Sequence, residues 1–191
     1  QIEPDLASAA PFLAAALVTG GRVTLPGWPR STLQAGDRLR EILTRMGGTC
    51  RLTERGLTVR GGDAIHGIDV DLRNEADLSP IVAALAALAD SPSTLRGIAH
   101  LRSHETDRIA ALARELSALG AGVGEHEDGL TIEPRPLTGT VFETYDDHRM
   151  AFAGALLGLA VPGIVLADVA CAAKTVPDFP ALWSAMVGAS S

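Results

Sequence analysis

Hydrophobic positions along the chain fall into blocks that recur at a nearly fixed spacing. Ala9 to Val18, Ile81 to Ala89 and Met150 to Ala160 are Ala-rich apolar runs, preceded by Asp5, Asp77 and Asp147 respectively. Each run ends in a turn, at Gly20-Gly21, Asp90-Ser91-Pro92 and Pro162-Gly163. A short extended stretch follows each turn: Arg22 to Leu25, Ser93 to Arg96 and Ile164 to Leu166. The leading Asp residues are 72 and then 70 positions apart, the signature of a repeated supersecondary unit.

The repeat continues past this first half. Leu39, Leu43, Met46 and Gly47 recur 73 positions later as Leu112, Leu116, Leu119 and Gly120, marking one apolar face of a helix that ends at a glycine. Gly56-Leu57-Thr58-Val59 is matched by Gly129-Leu130-Thr131-Ile132, each closing a hairpin. The unit therefore reads strand, helix, strand, helix, strand, strand. Its entering strand is Ile68 to Leu72 in the second copy and lies around Val141-Phe142 in the third. Copies span about residues 1–62, 63–134 and 135–191. The first lacks an entering strand, and the third stops after a last helix over Asp178 to Val187. These features predict an α/β lobe with helices buried behind sheets, completed by strands from elsewhere. A chain opening on Gln1 is expected to be a fragment.

Composition narrows the class. The 191 residues are 47% apolar with a mean hydropathy of +0.20, which excludes disorder. Twenty-three Asp and Glu outnumber sixteen Lys and Arg, so a general nucleic-acid partner is not expected. Aromatics are only 4%, leaving the core to Ala, Leu, Val and Ile. Cys50 and Cys171 form neither a disulfide framework nor a cysteine zinc site, which suggests the cytoplasm. Glu3 and Asp5 before the first apolar run argue against a signal peptide. Met150 to Ala167 is uncharged, but Pro162-Gly163 splits it, so no membrane span is expected.

Polar residues gather just before the helices, where free N–H groups and the helix dipole favour anions. His104-Glu105-Thr106-Asp107-Arg108 precedes the helix ending at Leu119, with Thr106 or Asp107 as its cap. Tyr145-Asp146-Asp147-His148-Arg149 precedes the helix from Met150. Arg108 and Arg149 suit a carboxylate or phosphate. Plain surface pairs, Arg108 with Asp107 and Arg149 with Asp146, fit the same spacing. Lys174, the sole lysine, lies before the last helix and suggests a mobile ammonium whose pKa burial or neighbours can lower; a solvated lysine is the alternative. His100 and His104 are four apart with Glu105 adjacent, yet no third ligand is suitably spaced, and Arg102 and Arg108 would crowd a cation. His66 and His126 are expected in solvent, and Trp28 and Trp183 against helix surfaces.

Glu105-Thr106-Asp107-Arg108, Asp147-His148-Arg149-Met150 and Ala173-Lys174-Thr175-x-Pro177-Asp178, in that order, resemble the enolpyruvylshikimate-phosphate synthases. The opening Glu3-Pro4-Asp5 to Gly21 segment and the Gly120 to Ile132 hairpin fit as well. The resemblance spans essentially the whole chain but covers only the carboxy-terminal part of that family. It implies one lobe of an inside-out α/β barrel, built from three such repeats with a short amino-terminal segment. It also implies transfer of the enolpyruvyl group of phosphoenolpyruvate to the 5-hydroxyl of shikimate-3-phosphate, releasing phosphate. No metal or organic cofactor is implied, and the complete enzyme is expected to be a cytoplasmic monomer.

By the same resemblance, Asp77 is the general base for the attacking hydroxyl. Glu105 handles proton transfer at the methylene carbon of phosphoenolpyruvate, with Lys174 assisting. Arg108, Arg149 and Lys174 hold the phosphoenolpyruvate anion, and His148 supports Arg149. His104 and His100 stand in the shikimate-phosphate site, where many members have Lys and Asn; His104 and the Arg bias suit an actinobacterial branch. The family's Lys-Ser segment and the Arg, Ser and Gln residues of the other lobe are absent from this sequence, so the chain alone is expected to be inactive. The alternatives are a noncatalytic anion-binding repeat and the related UDP-N-acetylglucosamine enolpyruvyl transferase.

Overall fold

The computed structural model describes residues 5–188, so Gln1 and the Glu3-Pro4 part of the opening motif lie outside the described residues. The first unit comprises α1 (Ala10–Thr19), β1 (Arg22–Leu25), α2 (Leu39–Arg45), β2 (Thr49–Thr53) and β3 (Gly56–Arg60). The second comprises β4 (Asp69–Asp71), α3 (Ser79–Ala87), β5 (Ser93–Arg96), α4 (Arg108–Leu119), β6 (Gly122–His126) and β7 (Gly129–Glu133). The third comprises β8 (Val141–Phe142), α5 (His148–Leu157), β9 (Val165–Leu166) and α6 (Phe179–Gly188).

The second unit sets the pattern for the others. Its sheet has the order β4-β5-β7-β6, with β4 parallel to β5 and the remaining pairs antiparallel. The first unit forms β1-β3-β2, the same sheet without its entering strand. In the third, β8 pairs parallel with β9, the same sheet without its hairpin. Among the described residues, the outer edges of β1 and β9 therefore carry no strand.

Three equivalent helices fill the interior. α1, α3 and α5 pack against one another, and every residue of α3 is buried. A helix buried on all sides has no polar face, which explains why these three are Ala-rich runs rather than amphipathic ones. Small side chains let neighbouring elements approach closely: a Cβ at Gly154 of α5 would lie 2.4 Å from the Leu166 side chain. By contrast α4 is two-sided, with Ile109, Leu112, Leu116 and Leu119 buried and Arg114 in solvent. It ends at Gly120, which adopts the left-handed conformation (φ 113°). α2 follows a 3-10 turn over Ala35–Arg38 and stops at Met46, before Gly47 (φ 100°).

Several boundaries differ from the sequence pattern for local reasons. The entering strand of the second unit shortens from 68–72 to Asp69–Asp71, although backbone bonds at Ile68 and Leu72 extend its pairing. α5 begins two residues earlier than the apolar run because Asp147 caps it, accepting from the Arg149 amide at 2.8 Å. The run's end, to Ala160, is a turn after Leu157. Trp28 is buried and donates to Asp37 at 2.7 Å, while Trp183 packs on Phe12 and Phe179. His66 and His126 are exposed, His66 beside Asp90 at 2.7 Å.

The repeat imposes one requirement twice. Where each hairpin crosses its neighbouring strand, a Cβ at Gly56 would lie 2.0 Å from the Leu25 carbonyl oxygen, and one at Gly129 would lie 1.9 Å from that of Leu95. Both obstacles are backbone, and Gly56 also has φ 117°. Gly56→Ala and Gly129→Ala are each expected to lower the unfolding free energy by about 2–3 kcal/mol in urea titrations, against about 0.5 kcal/mol or less for Gly158→Ala. Equal effects at all three positions would contradict this packing.

Candidate active site

The three interior helices bring their starts together, and with them the repeat's leading Asp residues. Asp147, fully buried, caps α5 and also receives Arg108, whose Nε donates to Oδ2 at 2.6 Å and Nη2 to Oδ1 at 3.3 Å. Arg108 is the first residue of α4 and only 2% exposed. Its third nitrogen, Nη1, donates to Asp77 Oδ1 at 3.0 Å. Asp77 lies in the turn before α3, and its other oxygen accepts from Arg149 Nη2 at 3.4 Å. Asp5, before α1, is 4.0 Å from the same Arg149 nitrogen. Three equivalent carboxylates thus surround two guanidiniums, each contributed by a different unit.

The surface pairs allowed by the spacing do not form, because their acids are engaged elsewhere. Asp107 caps α4 through the Ala110 amide at 3.0 Å, and its other oxygen accepts from Arg102 at 2.9 Å. Asp146 binds Lys174. Arg108 and Arg149 are consequently free to turn inward. Arg149 is buried, and its Nε and Nη1 have no protein hydrogen-bond acceptor. Buried donors normally find partners, so these two nitrogens are suited to a bound anion.

Glu105 and His148 flank this cluster. Glu105 Oε2 is 4.0 Å from Arg108 Nη2 and 3.5 Å from His148 Nδ1. The His148 ring is buried, packs edge-on against Phe152, and neither of its nitrogens makes a hydrogen bond to protein. Burial pushes its pKa below the usual histidine value, and Arg149 adds to this, while Glu105 and Asp147 oppose it. Glu105, Asp147 and His148 place ligand atoms within 4.8 Å of one another. Both Asp147 oxygens are already occupied, and two guanidiniums stand beside them, an environment matched to an anion rather than to a metal cation.

Lys174 ends a 3-10 turn over Ala170–Lys174, and its Nζ donates to the Asp146 carbonyl at 2.6 Å and reaches Asp146 Oδ2 at 2.9 Å. The lowered pKa expected from the sequence is not what the structure gives. Lys174 is exposed rather than desolvated, and its hydrogen bond to Asp146 raises the pKa. It is held as a cation.

A cleft of about 380 Å³ opens beside the cluster, lined by Asp5, Gln34, Arg73, Asp77, His100 and His104 among others. His100 and His104 lie at a 3-10 turn over Ala99–Ser103, not on an α-helix, with ring centroids 5.9 Å apart. Asp77 belongs to both the cleft and the arginine cluster. Sequence reasoning did not place Asp5, Asp147, Gln34 and Arg73 at the site. The repeat's equivalence of Asp5 and Asp147 with Asp77 was an available signal for the first two; the others carry none.

A family model described as EPSP synthase (3-phosphoshikimate 1-carboxyvinyltransferase) matches residues 1–183. The chain belongs to the EPSP synthase family. Over 187 residues it is 57% identical to a curated 3-phosphoshikimate 1-carboxyvinyltransferase of the actinobacterium Kocuria rhizophila, covering 98% of this chain and 42% of that protein. The chain therefore spans less than half the length of this EPSP synthase relative. An EPSP synthase structure from Acinetobacter baumannii superposes with a TM-score of 0.82 at 26% identity, covering 98% of this chain and 46% of that one. The enolpyruvyl transferase NikO of Streptomyces tendae shares the fold, with a TM-score of 0.67 at 21% identity, covering 98% and 43% of the respective chains.

The buried ring of His148 makes stability depend on pH. An unfolded histidine titrates near 6.5 and the folded one lower, so acid protonates the unfolded state first. Stability from the neutral ring is complete above 6.5 and lost as pH falls through the folded pKa. Between about pH 7 and about pH 5, the parent should lose more unfolding free energy than His148→Gln. Parallel losses would show that this ring is not the source.

Proposed function

We propose that this chain is the carboxy-terminal part of a 3-phosphoshikimate 1-carboxyvinyltransferase, a shikimate-pathway enzyme of aromatic amino-acid biosynthesis. Its reaction joins phosphoenolpyruvate to shikimate-3-phosphate. The observation that carries the reading is Asp77, a half-exposed carboxylate on the cleft that also touches both buried guanidiniums. A base beside two fixed cations suits the attack of a hydroxyl on an anionic enol ester.

In this reading the Asp77 carboxylate takes the proton of the 5-hydroxyl of shikimate-3-phosphate as that oxygen bonds to C2 of phosphoenolpyruvate. Glu105 gives a proton to C3, converting the methylene to a methyl group. The Glu105 carboxylate then takes a proton back from C3 as phosphate departs from C2 with the proton held by Asp77, leaving the enolpyruvyl ether. Arg108, Arg149 and Lys174 hold the carboxylate and phosphate of phosphoenolpyruvate, and Lys174 assists Glu105. The unpartnered Nε and Nη1 of Arg149 support its assignment. His148 backs Arg149, while His100 and His104 face the shikimate phosphate across the cleft. No metal or organic cofactor takes part in this reading.

The three repeat units, about 1–62, 63–134 and 135–191, form one lobe in this proposal. Open edges at β1 and β9 support completion by the remainder of the same polypeptide, the first needing a strand like β4 and the second a hairpin like β7-β6. The complete protein is a cytoplasmic monomer in this account. Among the described residues, no helix is long and apolar enough to cross a membrane.

Joined to its upstream half and given both substrates, the chain should release phosphate, and the 191 residues alone should release little. In the joined protein, Asp77→Ala and Lys174→Ala are each expected to lower the rate at least about a hundredfold. Unchanged rates would overturn the assignments. Phosphoenolpyruvate binding without any phosphate release would favour a noncatalytic module instead.

A further inference from the structure

The five residues between β8 and α5 adopt an unfavourable backbone. Tyr145 (φ 55°) and Asp146 (φ 54°) are consecutive non-glycine residues in the left-handed region, which side chains disfavour. Such a turn persists only where its surroundings hold it, and the turn is closed by Asp147 N–H donating to the Thr144 carbonyl at 2.8 Å.

The hold comes from α4. Arg108 at its start grips Asp147. Two turns further along the same helix face stands Glu115, a buried carboxylate that plays no part in the proposed chemistry. Its Oε2 accepts from the Glu143 amide at 3.0 Å, and its Oε1 accepts from the Tyr145 hydroxyl at 2.5 Å. Burial, together with the adjoining Glu115, pushes the Tyr145 pKa up to about 12, so the hydroxyl remains a donor at neutral pH. One helix therefore fastens residues 143, 145 and 147, and the residue between the last two, Asp146, presents its carbonyl and carboxylate to Lys174.

We propose that Glu115 is a positioning residue: through Tyr145 and the Glu143 amide it fixes the left-handed turn that places Asp146 against Lys174 and Asp147 against Arg108. The importance of those cations for catalysis rests on the function proposed above; the mechanical link does not.

Because Lys174 is the sole lysine, amine acylation followed by peptide mapping reads its environment in the 191-residue chain without any activity assay. An amine reacts as the free base, so an ammonium released from Asp146 reacts faster. At about pH 9, Tyr145→Phe and Glu115→Ala are expected to accelerate Lys174 acylation about threefold or more. Glu115→Gln should stay near the parent rate, because its Oε1 can accept from Glu143 N–H while its amide donates to the Tyr145 oxygen. If Glu115→Ala fails to fold, Tyr145→Phe and Glu115→Gln decide. An unchanged Lys174 rate in folded Tyr145→Phe would overturn the proposal, as would acceleration in Glu115→Gln equal to that in Tyr145→Phe. In the complete polypeptide, Tyr145→Phe should lower kcat for phosphate release about tenfold. Should the parent polypeptide prove inactive, the function fails, and the acylation rates still decide the role of Glu115.

Discussion

Arg108 joins the second and third repeat units, and its guanidinium determines much of what surrounds it. Removing a charge from water costs several kcal/mol, and that cost is offset only where paired acceptors saturate the group. Asp147 supplies two hydrogen bonds and Asp77 a third, so all three guanidinium nitrogens are engaged. The pairing ties the start of α4 to the starts of α3 and α5. It also fixes the orientation of Asp77, leaving that carboxylate partly in the cleft. Stability and the proposed chemistry thus share one ion-pair network rather than occupying separate regions.

That network in turn depends on the interior helices. α1, α3 and α5 are equivalent by the repeat and packed in one bundle, so their N-terminal ends come together with positive dipole ends and free N–H groups. Asp147 caps α5, Asp5 and Asp77 lie before α1 and α3, and arginines answer these carboxylates. Two guanidiniums of an acidic chain are thereby held inward, with Arg149 retaining two unpartnered nitrogens.

Much of this was legible in the sequence because it is periodic. The recurring Asp, apolar run, turn and extended stretch predicted the unit, and β1 and β5 occupy the expected residues, Arg22–Leu25 and Ser93–Arg96. Motif order carried the family. Pairing at the site was not legible, because Asp107 and Asp146, the acids closest in sequence to its arginines, are engaged by other cations. Arg102 takes Asp107, Lys174 takes Asp146, and Arg108 reaches residues 31 and 39 positions away. The direction of the Lys174 pKa was missed for the same reason, since it is set by a carbonyl and a carboxylate brought up by a distant turn. Glu115 is a charged residue on the apolar face of α4, which marks it as partnered, but only the fold reveals the amide and hydroxyl it binds.

Arg108 and Asp147 act as one unit holding the helix starts together. A double-mutant cycle with Arg108→Met and Asp147→Asn, read by urea unfolding of each variant, measures that coupling most directly. An interaction of at least about 2 kcal/mol is expected, because either single change strands a buried charge. Additive effects, with coupling below about 0.5 kcal/mol, would contradict it.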